Sequence, residues 1–319
     1  MLTYELYMQN APDNFPDVIR IETSGKCNFK CIHCPTGTQP NKRPVLSKDR
    51  FNYIVNQFID NKFVPRVVVL YHGGEPLLNK NLSHYIRTFK EMGVIKTVIT
   101  TNASLLNEEL SKKLITAGLD EMKISFDGQD PDENNHIRLN GNFHTNAANV
   151  KTFCKIRKTL GCNNPNIIIS NVQICDKITL QTLYKNHHFT FQDAPTYLTK
   201  YFSDEYDEIE FKSYPAMIWP GFEKFGVLDV VHFPTDKPNY CGPLFETSTI
   251  LSNGNVVPCC YDLKEELILG NIFEENIFDI WQNEKYNDLR SNFRRQQYHK
   301  FCRKCNVVSP RYLCNSLPA

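Results

Sequence analysis

The stretch Cys27-Asn28-Phe29-Lys30-Cys31-Ile32-His33-Cys34 places three thiols within eight residues, just after a strand-like run at residues 18–22. Zinc sites and ordinary iron–sulfur sites use four protein ligands. Three close thiolates without a fourth nearby therefore predict an iron–sulfur cluster with one iron open to another ligand. The alternative is a structural zinc site that borrows a distant ligand. His33 is a poor fourth ligand, because it lies between two of the thiols.

Around this stretch, short apolar runs alternate with helical patterns up to about residue 213. The predicted strands are residues 18–22, 67–71, 96–101, 121–126, 167–174 and 208–212. Six strand–helix units in series predict an α/β fold with a parallel sheet and helical crossovers. Six strands are too few for a closed eight-stranded barrel, so we expect an open (β/α)6 TIM-like partial barrel. The active site of such a sheet forms at the carboxyl ends of its strands.

The helical patterns begin at residues that cap helices well. Ser47 and Asn107 each precede an amphipathic run and predict N-caps. Residues 81–92 and 146–160 are also predicted to be helical, and residues 179–202 at least in part.

The pattern changes after residue 213. Residues 214–239 are rich in proline, glycine and aromatic side chains and predict a bridge. Ser252-Asn253-Gly254 predicts a hairpin, and residues 277–293 predict one helix. We therefore expect a barrel at 1–215, a bridge at 216–240, and a small module of a hairpin plus a helix at 241–319.

The composition sets further limits. The chain has 319 residues, and its 36 Lys and Arg nearly balance 35 Asp and Glu, which argues against nucleic acid or an anionic membrane as the main partner. The longest apolar runs are far shorter than the roughly 20 residues of a membrane helix. Residues 1–10 carry no export signal. A cytoplasmic protein is the expectation.

The cysteines are too many and too clustered for scattered core positions. There are 12, and disulfide frameworks belong to secreted chains. Cys154, Cys162 and Cys175 are scattered and need no special role. The others form two tight sets, Cys27/Cys31/Cys34 and Cys241/Cys259/Cys260/Cys302/Cys305/Cys314. Clustering at this spacing favours metal ligands.

These motifs resemble the radical S-adenosylmethionine (SAM) superfamily over nearly the whole chain. The resemblance implies that Cys27, Cys31 and Cys34 hold a [4Fe–4S] cluster whose open iron binds SAM. Gly73-Gly74-Glu75-Pro76 resembles the motif for the SAM amino group, and the glycines allow a close backbone approach. Further SAM-site residues are implied at His33 (adenine), Thr101, Ser125 and Asp127 (ribose), Arg138 (SAM carboxylate) and Gln173. A solvated helix arginine is the alternative for Arg138, as ordinary strand-end polar residues are for Thr101 and Gln173.

The C-terminal cysteines resemble the SPASM/twitch extension of this superfamily. The pattern runs from Cys241 through Gly254 to Cys259, and after a gap of 42 residues reaches Cys302-x2-Cys305. The resemblance implies an auxiliary [4Fe–4S] cluster on these four thiolates. The run of four cysteines that ends the full SPASM form is not completed after Cys305, so the one-cluster twitch form fits better. A zinc site with the same ligands is the alternative.

Two classes of reaction fit this architecture. One acts on small polar molecules, such as sugars, cyclitols or aminoglycoside-like compounds, by dehydrogenation or epimerisation, and the butirosin-pathway aminocyclitol dehydrogenase is an example. The other matures ribosomal peptides. We expect the first, because only 26 residues precede Cys27, the module is short, and residues 207–221 resemble sugar-pathway relatives.

Other roles follow from the resemblance. An electron donor such as flavodoxin or ferredoxin is implied. Cys260, beside Cys259, is a weak candidate hydrogen-atom donor, and a buried bystander is the alternative. A non-enzymatic iron–sulfur carrier would have no use for Glu75, Ser125 or Arg138.

Overall fold

The computed structural model describes residues 15–38, 43–185, 190–222 and 228–315. The predictions for residues 1–10, and for parts of the 179–202 helix and of the 216–240 bridge, lie outside them. Within the described residues, no helix combines the length and apolar character needed to cross a membrane.

Six parallel strands form the first part of the molecule, as the alternating pattern predicted. They are β1 (Val18–Ile21), β2 (Val67–Val69), β3 (Lys96–Thr101), β4 (Glu121–Asp127), β5 (Asn166–Gln173) and β6 (Ile209–Pro215). They pair in chain order with parallel register throughout. The predicted partial barrel is therefore confirmed.

Helices connect these strands and cover the sheet. They are α1 (Pro35–Thr38), α2 (Lys48–Asp60), α3 (Leu82–Glu91), α4 (Glu108–Thr116), α5 (Pro131–Ile137), α6 (Phe143–Thr159), α7 (Lys177–Lys185) and α8 (Thr196–Tyr201). The caps follow the sequence, since the Ser47 side chain accepts a hydrogen bond from the Arg50 amide and Asn107 accepts one from the Leu110 amide. The helix predicted at 179–202 is interrupted, because residues 190–195 are not helical.

Burial of the outward strand faces against these helices makes the core. Ile19 and Ile21 of β1 and Ile124 of β4 are fully buried there. Phe51 of α2 stacks on Tyr85 of α3 with ring centroids 3.8 Å apart. Alternation along each strand leaves the other face directed into the barrel.

The C-terminal part contains β7 (Asp229–His232), α9 (Gly242–Phe245), β8 (Thr247–Ile250), β9 (Asn255–Val257), β10 (Gly270–Asn271), α10 (Ile277–Gln282), α11 (Glu284–Arg294) and β11 (Arg311–Cys314). The predicted hairpin is present, since β8 and β9 pair antiparallel and Gly254 has a φ of +94°. The prediction of one continuous helix over residues 277–293 is wrong. Asn283 is extended and caps α11 through the Tyr286 amide, and this splits the helix in two.

The hairpin does not stand apart from the barrel. Strand β8 pairs in parallel with β1 over four residues, so one nine-stranded sheet runs β10-β9-β8-β1-β2-β3-β4-β5-β6. A second, two-stranded sheet joins β11 to β7. The division at residues 216 and 241 stays a prediction, since the strand pairing crosses it.

Candidate functional site

The loop after β1 brings the first three cysteines together. Cys31 is buried and Cys27 and Cys34 are half-buried, and the three thiols are close enough to influence one another electrostatically. The Lys30 and Ile32 amides donate to the carbonyls of Leu139 and Ile137, at 2.9 and 3.0 Å. These bonds hold the loop against the end of α5.

Burial is the main influence on these thiols. It raises the pKa of Cys27 to about 11 and that of Cys31 to about 12, while the Arg138 guanidinium acts in the opposite direction. Thiols with such values are protonated at neutral pH, so metal binding here must release protons.

Glu75 ties the loop after β2 to the end of β3. Its carboxylate is 3% exposed and accepts hydrogen bonds from Thr101 Oγ1 at 2.6 Å and from the Asn102 and Leu77 amides at 2.8 and 3.0 Å. Burial raises the pKa of Glu75, and the three hydrogen bonds only partly offset it. Both oxygens thus have partners within the chain, and Thr101, proposed from sequence as a SAM contact, is one of them.

Asp127, Arg138 and His33 form a second buried group. Arg138 Nη1 lies 2.6 Å from Asp127 Oδ2, and His33 Nε2 lies 3.9 Å from the same oxygen. Arg138 is 8% exposed, which excludes the solvated helix arginine. Its Nε is buried without a hydrogen-bond partner in the described part of the chain. Burial lowers the pKa of His33, which favours a neutral ring.

The remaining residues proposed from sequence lie at the same end of the sheet. Ser125 of β4 is in register with Ser170 of β5. Gln173, at the end of β5, accepts a hydrogen bond from the Gln129 side chain. The Gly73 amide donates to Glu22 Oε1 at 3.3 Å.

A buried ion pair of Arg43 with Glu22 lies beside Gly73, and no motif in the sequence indicated it. Arg43 donates two hydrogen bonds to the Glu22 carboxylate, at 2.7 and 3.0 Å, and Arg43 Nη1 also donates to Glu265 Oε1 at 2.9 Å. Ser252 Oγ donates to Glu22 at 2.9 Å. The partners lie 21 to 230 residues apart in sequence, so no local pattern could have indicated the group. It connects the Gly73 loop to the C-terminal part.

Four C-terminal cysteines line one apolar cavity. Cys241, Cys259, Cys302 and Cys305 surround it together with Tyr261, Phe293 and Phe301, among others. Cys241 precedes α9, Cys259 follows the hairpin, and Cys302 and Cys305 bound a short 3-10 turn. Burial raises the pKa of Cys241 to about 11 and those of Cys302 and Cys305 to about 12.

The two left-over cysteines lie outside this cavity. Cys260 is within electrostatic range of Arg20 of β1. The backbones of Cys314 and Cys175 pair as an isolated parallel β-bridge, and both thiols are free. Across the described ranges, no three or more Cys, His, Asp or Glu side chains are arranged as the ligands of a single ion.

Comparison with known proteins agrees with this architecture. The radical SAM superfamily model matches residues 21–170, and the SPASM iron–sulfur cluster-binding domain model matches residues 241–306. An AdoMet-dependent heme synthase of Methanosarcina barkeri is 23% identical over 93% of both chains. An S-adenosyl-L-methionine-dependent 2-deoxy-scyllo-inosamine dehydrogenase of Niallia circulans is 21% identical, over 93% of this chain and 95% of the relative.

Two solved structures have similar folds. BtrN in complex with AdoMet and 2-DOIA has a TM-score of 0.58 at 17% identity, covering 92% of this chain and 94% of that chain. Streptococcus suis SuiB bound to S-adenosylmethionine has a TM-score of 0.57 at 19% identity, covering 87% and 68%. At these identities the likeness concerns the fold alone.

The protein is thus an enzyme of the kind that the first cysteine motif predicted. The chain belongs to the radical SAM superfamily and carries a SPASM domain. The radical SAM domain implies a [4Fe–4S] cluster and SAM as cofactors, and the SPASM domain implies auxiliary iron–sulfur clusters in the C-terminal part.

Proposed function

We propose that this enzyme is an oxidoreductase that removes a hydrogen atom from a small polar substrate, such as a sugar, a cyclitol or an aminoglycoside-like molecule. The product is a dehydrogenated compound or an epimer. The observation that carries the proposal is the apolar cavity with four thiols, joined to the barrel through the pairing of β8 with β1. A second cluster beside the barrel is what an oxidation needs, because it can accept the remaining electron.

The proposed ligands of the SAM-binding cluster are Cys27, Cys31 and Cys34. The residues fit this role, because three thiols stand close together and a fourth cysteine does not accompany them in the sequence. The unpartnered Nε of Arg138 fits a carboxylate. We assign SAM binding to His33, Gly73, Gly74, Glu75, Thr101, Ser125, Asp127, Arg138 and Gln173.

The proposed ligands of one auxiliary cluster are Cys241, Cys259, Cys302 and Cys305. All four thiols line one cavity, and the match of residues 241–306 to an iron–sulfur cluster-binding domain supports a cluster there rather than a zinc ion. When bound, SAM and the two clusters supply a 5′-deoxyadenosyl radical and an electron acceptor.

The chain's own residues position and shield this chemistry. The bonds of Glu75 to Thr101 and Asn102 fix the loop that carries Gly73 and Gly74. Asp127 orients the Arg138 guanidinium. Phe293 and Phe301 contribute an apolar wall beside the C-terminal thiols.

Two further expectations belong to the proposal. An electron donor such as flavodoxin or ferredoxin would reduce the SAM-binding cluster. We infer a cytoplasmic location, because free thiol sets of this kind persist in reducing compartments.

Small-molecule chemistry is supported by the dehydrogenase relative, which aligns over nearly its full length. Peptide maturation remains the competing reaction class.

Iron counting tests the two clusters. We expect about eight iron atoms per anaerobically reconstituted chain, and about four in the Cys27/Cys31/Cys34→Ala variant and in the Cys241/Cys259/Cys302/Cys305→Ala variant. Cys162→Ala, outside both sets, should keep the full count. If the first variant retains no iron, the C-terminal thiols hold zinc or nothing, and the oxidation loses its electron acceptor.

A Cys260→Ala variant distinguishes epimerisation from dehydrogenation. An epimerase must return a hydrogen atom to the substrate, so Cys260→Ala should stop product formation and still release 5′-deoxyadenosine from SAM. A dehydrogenase should tolerate the change. Cys314→Ala is the control, because Cys314 does not line the cavity that Cys241, Cys259, Cys302 and Cys305 surround. Full turnover of Cys260→Ala in an enzyme whose product is an epimer would exclude this thiol as the donor.

A further inference from the structure

The inner face of the barrel is polar near β1. Arg20 lies between Ile19 and Ile21, which face the helices and are fully buried, so alternation directs Arg20 into the barrel. The Arg20 guanidinium lies 4.9 Å from the ring centroid of Tyr71. One layer further on, Thr100 of β3 is in register with Lys123 of β4.

Arg20 has few partners for its charge. Its Nη1 donates to the Tyr71 carbonyl at 3.3 Å, and its Nε is buried with no hydrogen-bond partner among the described residues. No described carboxylate lies within 4.0 Å of the guanidinium, whereas nearby basic side chains on the same face have one. Lys123 and Lys96 both pair with Glu121, and Lys212 pairs with Glu210.

The positive charge acts on its surroundings. Burial raises the pKa of the Tyr71 phenol. The charge of Arg20, the hydrogen bonds of the phenol with Thr100 and Arg20, and the charge of Lys123 lower it by more, so the net shift is downward. Arg20 thus acts on Tyr71 both through its charge and as a hydrogen-bond partner of the phenol.

Arg20 also stands between the two cysteine sets. Strand β1 leads into the loop that carries Cys27, and on its other side it pairs with β8 of the C-terminal part. Arg20 is within electrostatic range of His72 and of Cys260. His72 Nδ1 is a second buried atom without a partner in the described ranges.

We propose that Arg20 binds an anionic group of the substrate, a phosphate or a carboxylate, and so selects anionic small molecules. A guanidinium offers five donors in a planar fork that matches both groups. Burying a charged group with an unused hydrogen-bond donor costs free energy, unless a ligand of opposite charge accepts a hydrogen bond from that donor. The inference rests on the proposed function, since it concerns the substrate of that same barrel. An arginine that only stacks on Tyr71 is the alternative.

Binding of defined anions tests the proposal. The full chain, reconstituted with iron and supplied with SAM, is titrated calorimetrically with D-glucose 6-phosphate, D-glucuronate, inorganic phosphate and uncharged D-glucose. We expect at least one anion to bind about tenfold or more tightly than glucose, and Arg20→Gln to abolish that preference. The sugar phosphate and the glucuronate distinguish the two anionic groups, while inorganic phosphate shows whether the anion alone suffices.

Two variants separate charge from folding. Arg20→Lys keeps the charge but loses the planar fork, so it should retain part of the preference. Arg66→Gln is the matched control, because Arg66 is 69% exposed beside Asp17, and it should bind as the wild type does. The proposal is wrong if no anion binds with a Kd below about 10 mM. It is also wrong if the Arg20→Gln variant keeps its iron and binds anions as tightly as the wild type.

The same preparations distinguish this failure from failure of the proposed function. Iron content and release of 5′-deoxyadenosine, both measured without any added anion, report on the clusters and SAM. Normal values with no effect of Arg20→Gln would overturn the anion site alone. Loss of the C-terminal iron with an intact anion preference would overturn the oxidation alone.

Discussion

At the scale of single residues, Gly74 shows why this loop requires glycine. A β-carbon at this position would overlap the backbone carbonyl oxygens of Ser24 and Lys26. Both belong to the segment that leads into Cys27, and the Glu75 amide donates to the Lys26 carbonyl at 2.8 Å. The loop after β2 therefore lies directly against the backbone of the first cysteine loop.

Gly74→Ala should weaken SAM binding strongly, because the backbone atoms that its β-carbon would meet cannot move aside as a flexible side chain can. Equilibrium dialysis of the reconstituted protein with labelled SAM measures the effect, and we expect affinity to fall by about 100-fold or more. Gly242→Ala is the control, since a β-carbon there meets only the Glu246 carboxylate at 3.6 Å. Unchanged SAM affinity in Gly74→Ala would show that the two loops do not pack as described.

At the scale of elements, Gln57 is one of the side chains of α2 that join this helix to the C-terminal part. Gln57 Nε2 donates to the Ile272 carbonyl at 2.8 Å, and Gln57 Oε1 accepts from the Ile277 amide at 2.8 Å. The Ile277 amide is one of the first of α10, whose amides lack partners within the helix. Gln57 thus satisfies the start of a helix that is more than 200 residues away in sequence.

Gln57→Ala should lower the thermal midpoint of the holoprotein and expose the segment around Ile277 to proteases. The free energy of unfolding should fall by about 1–3 kcal/mol, because backbone groups that are partly shielded from water lose their hydrogen-bond partners. Asn56→Ala, an exposed neighbour on the same helix, should have no effect. Equal protease resistance in the two variants would contradict this role of Gln57.

At the scale of the whole molecule, the barrel and the C-terminal part share one sheet and one buried charge network. The Glu22 amide donates to the Ile250 carbonyl at 2.8 Å, which continues the β1–β8 pairing. Arg43, 3% exposed, pairs with Glu22 and also donates to the Leu263 carbonyl and to Glu265 in the C-terminal part. A buried charge that loses one partner costs several kcal/mol.

A chain ending at residue 240 should therefore aggregate rather than fold as an independent barrel. Removing β8 leaves β1 as an unpaired strand edge, and such edges pair between chains. Size-exclusion chromatography measures the outcome. The full chain with Cys241/Cys259/Cys302/Cys305→Ala is the control, because it lacks the proposed cluster ligands but keeps the β8 pairing, and we expect it to elute as a discrete species. A discrete, folded 1–240 chain would show that the barrel needs no partner for β1.

The sequence by itself determined the local features of this protein. The spacing of Cys27, Cys31 and Cys34, the six strands, the caps at Ser47 and Asn107 and the hairpin at Gly254 follow from short-range patterns. Such features can be predicted because spacing and backbone propensity act between residues that are close in the chain. The missed break at Asn283 was also local, since an asparagine in that position competes as a cap with the continuous helix.

Only the tertiary structure decided which distant groups meet. The pairing of Glu22 with Arg43, the bond of Thr101 to Glu75, and the attachment of β8 to β1 depend on how the sheet packs. The same packing left Arg20 inside the barrel without a carboxylate partner in the described residues. Contacts between residues tens or hundreds of positions apart are selected by burial and by hydrogen-bond satisfaction over the whole fold, and no short stretch of sequence contains that information.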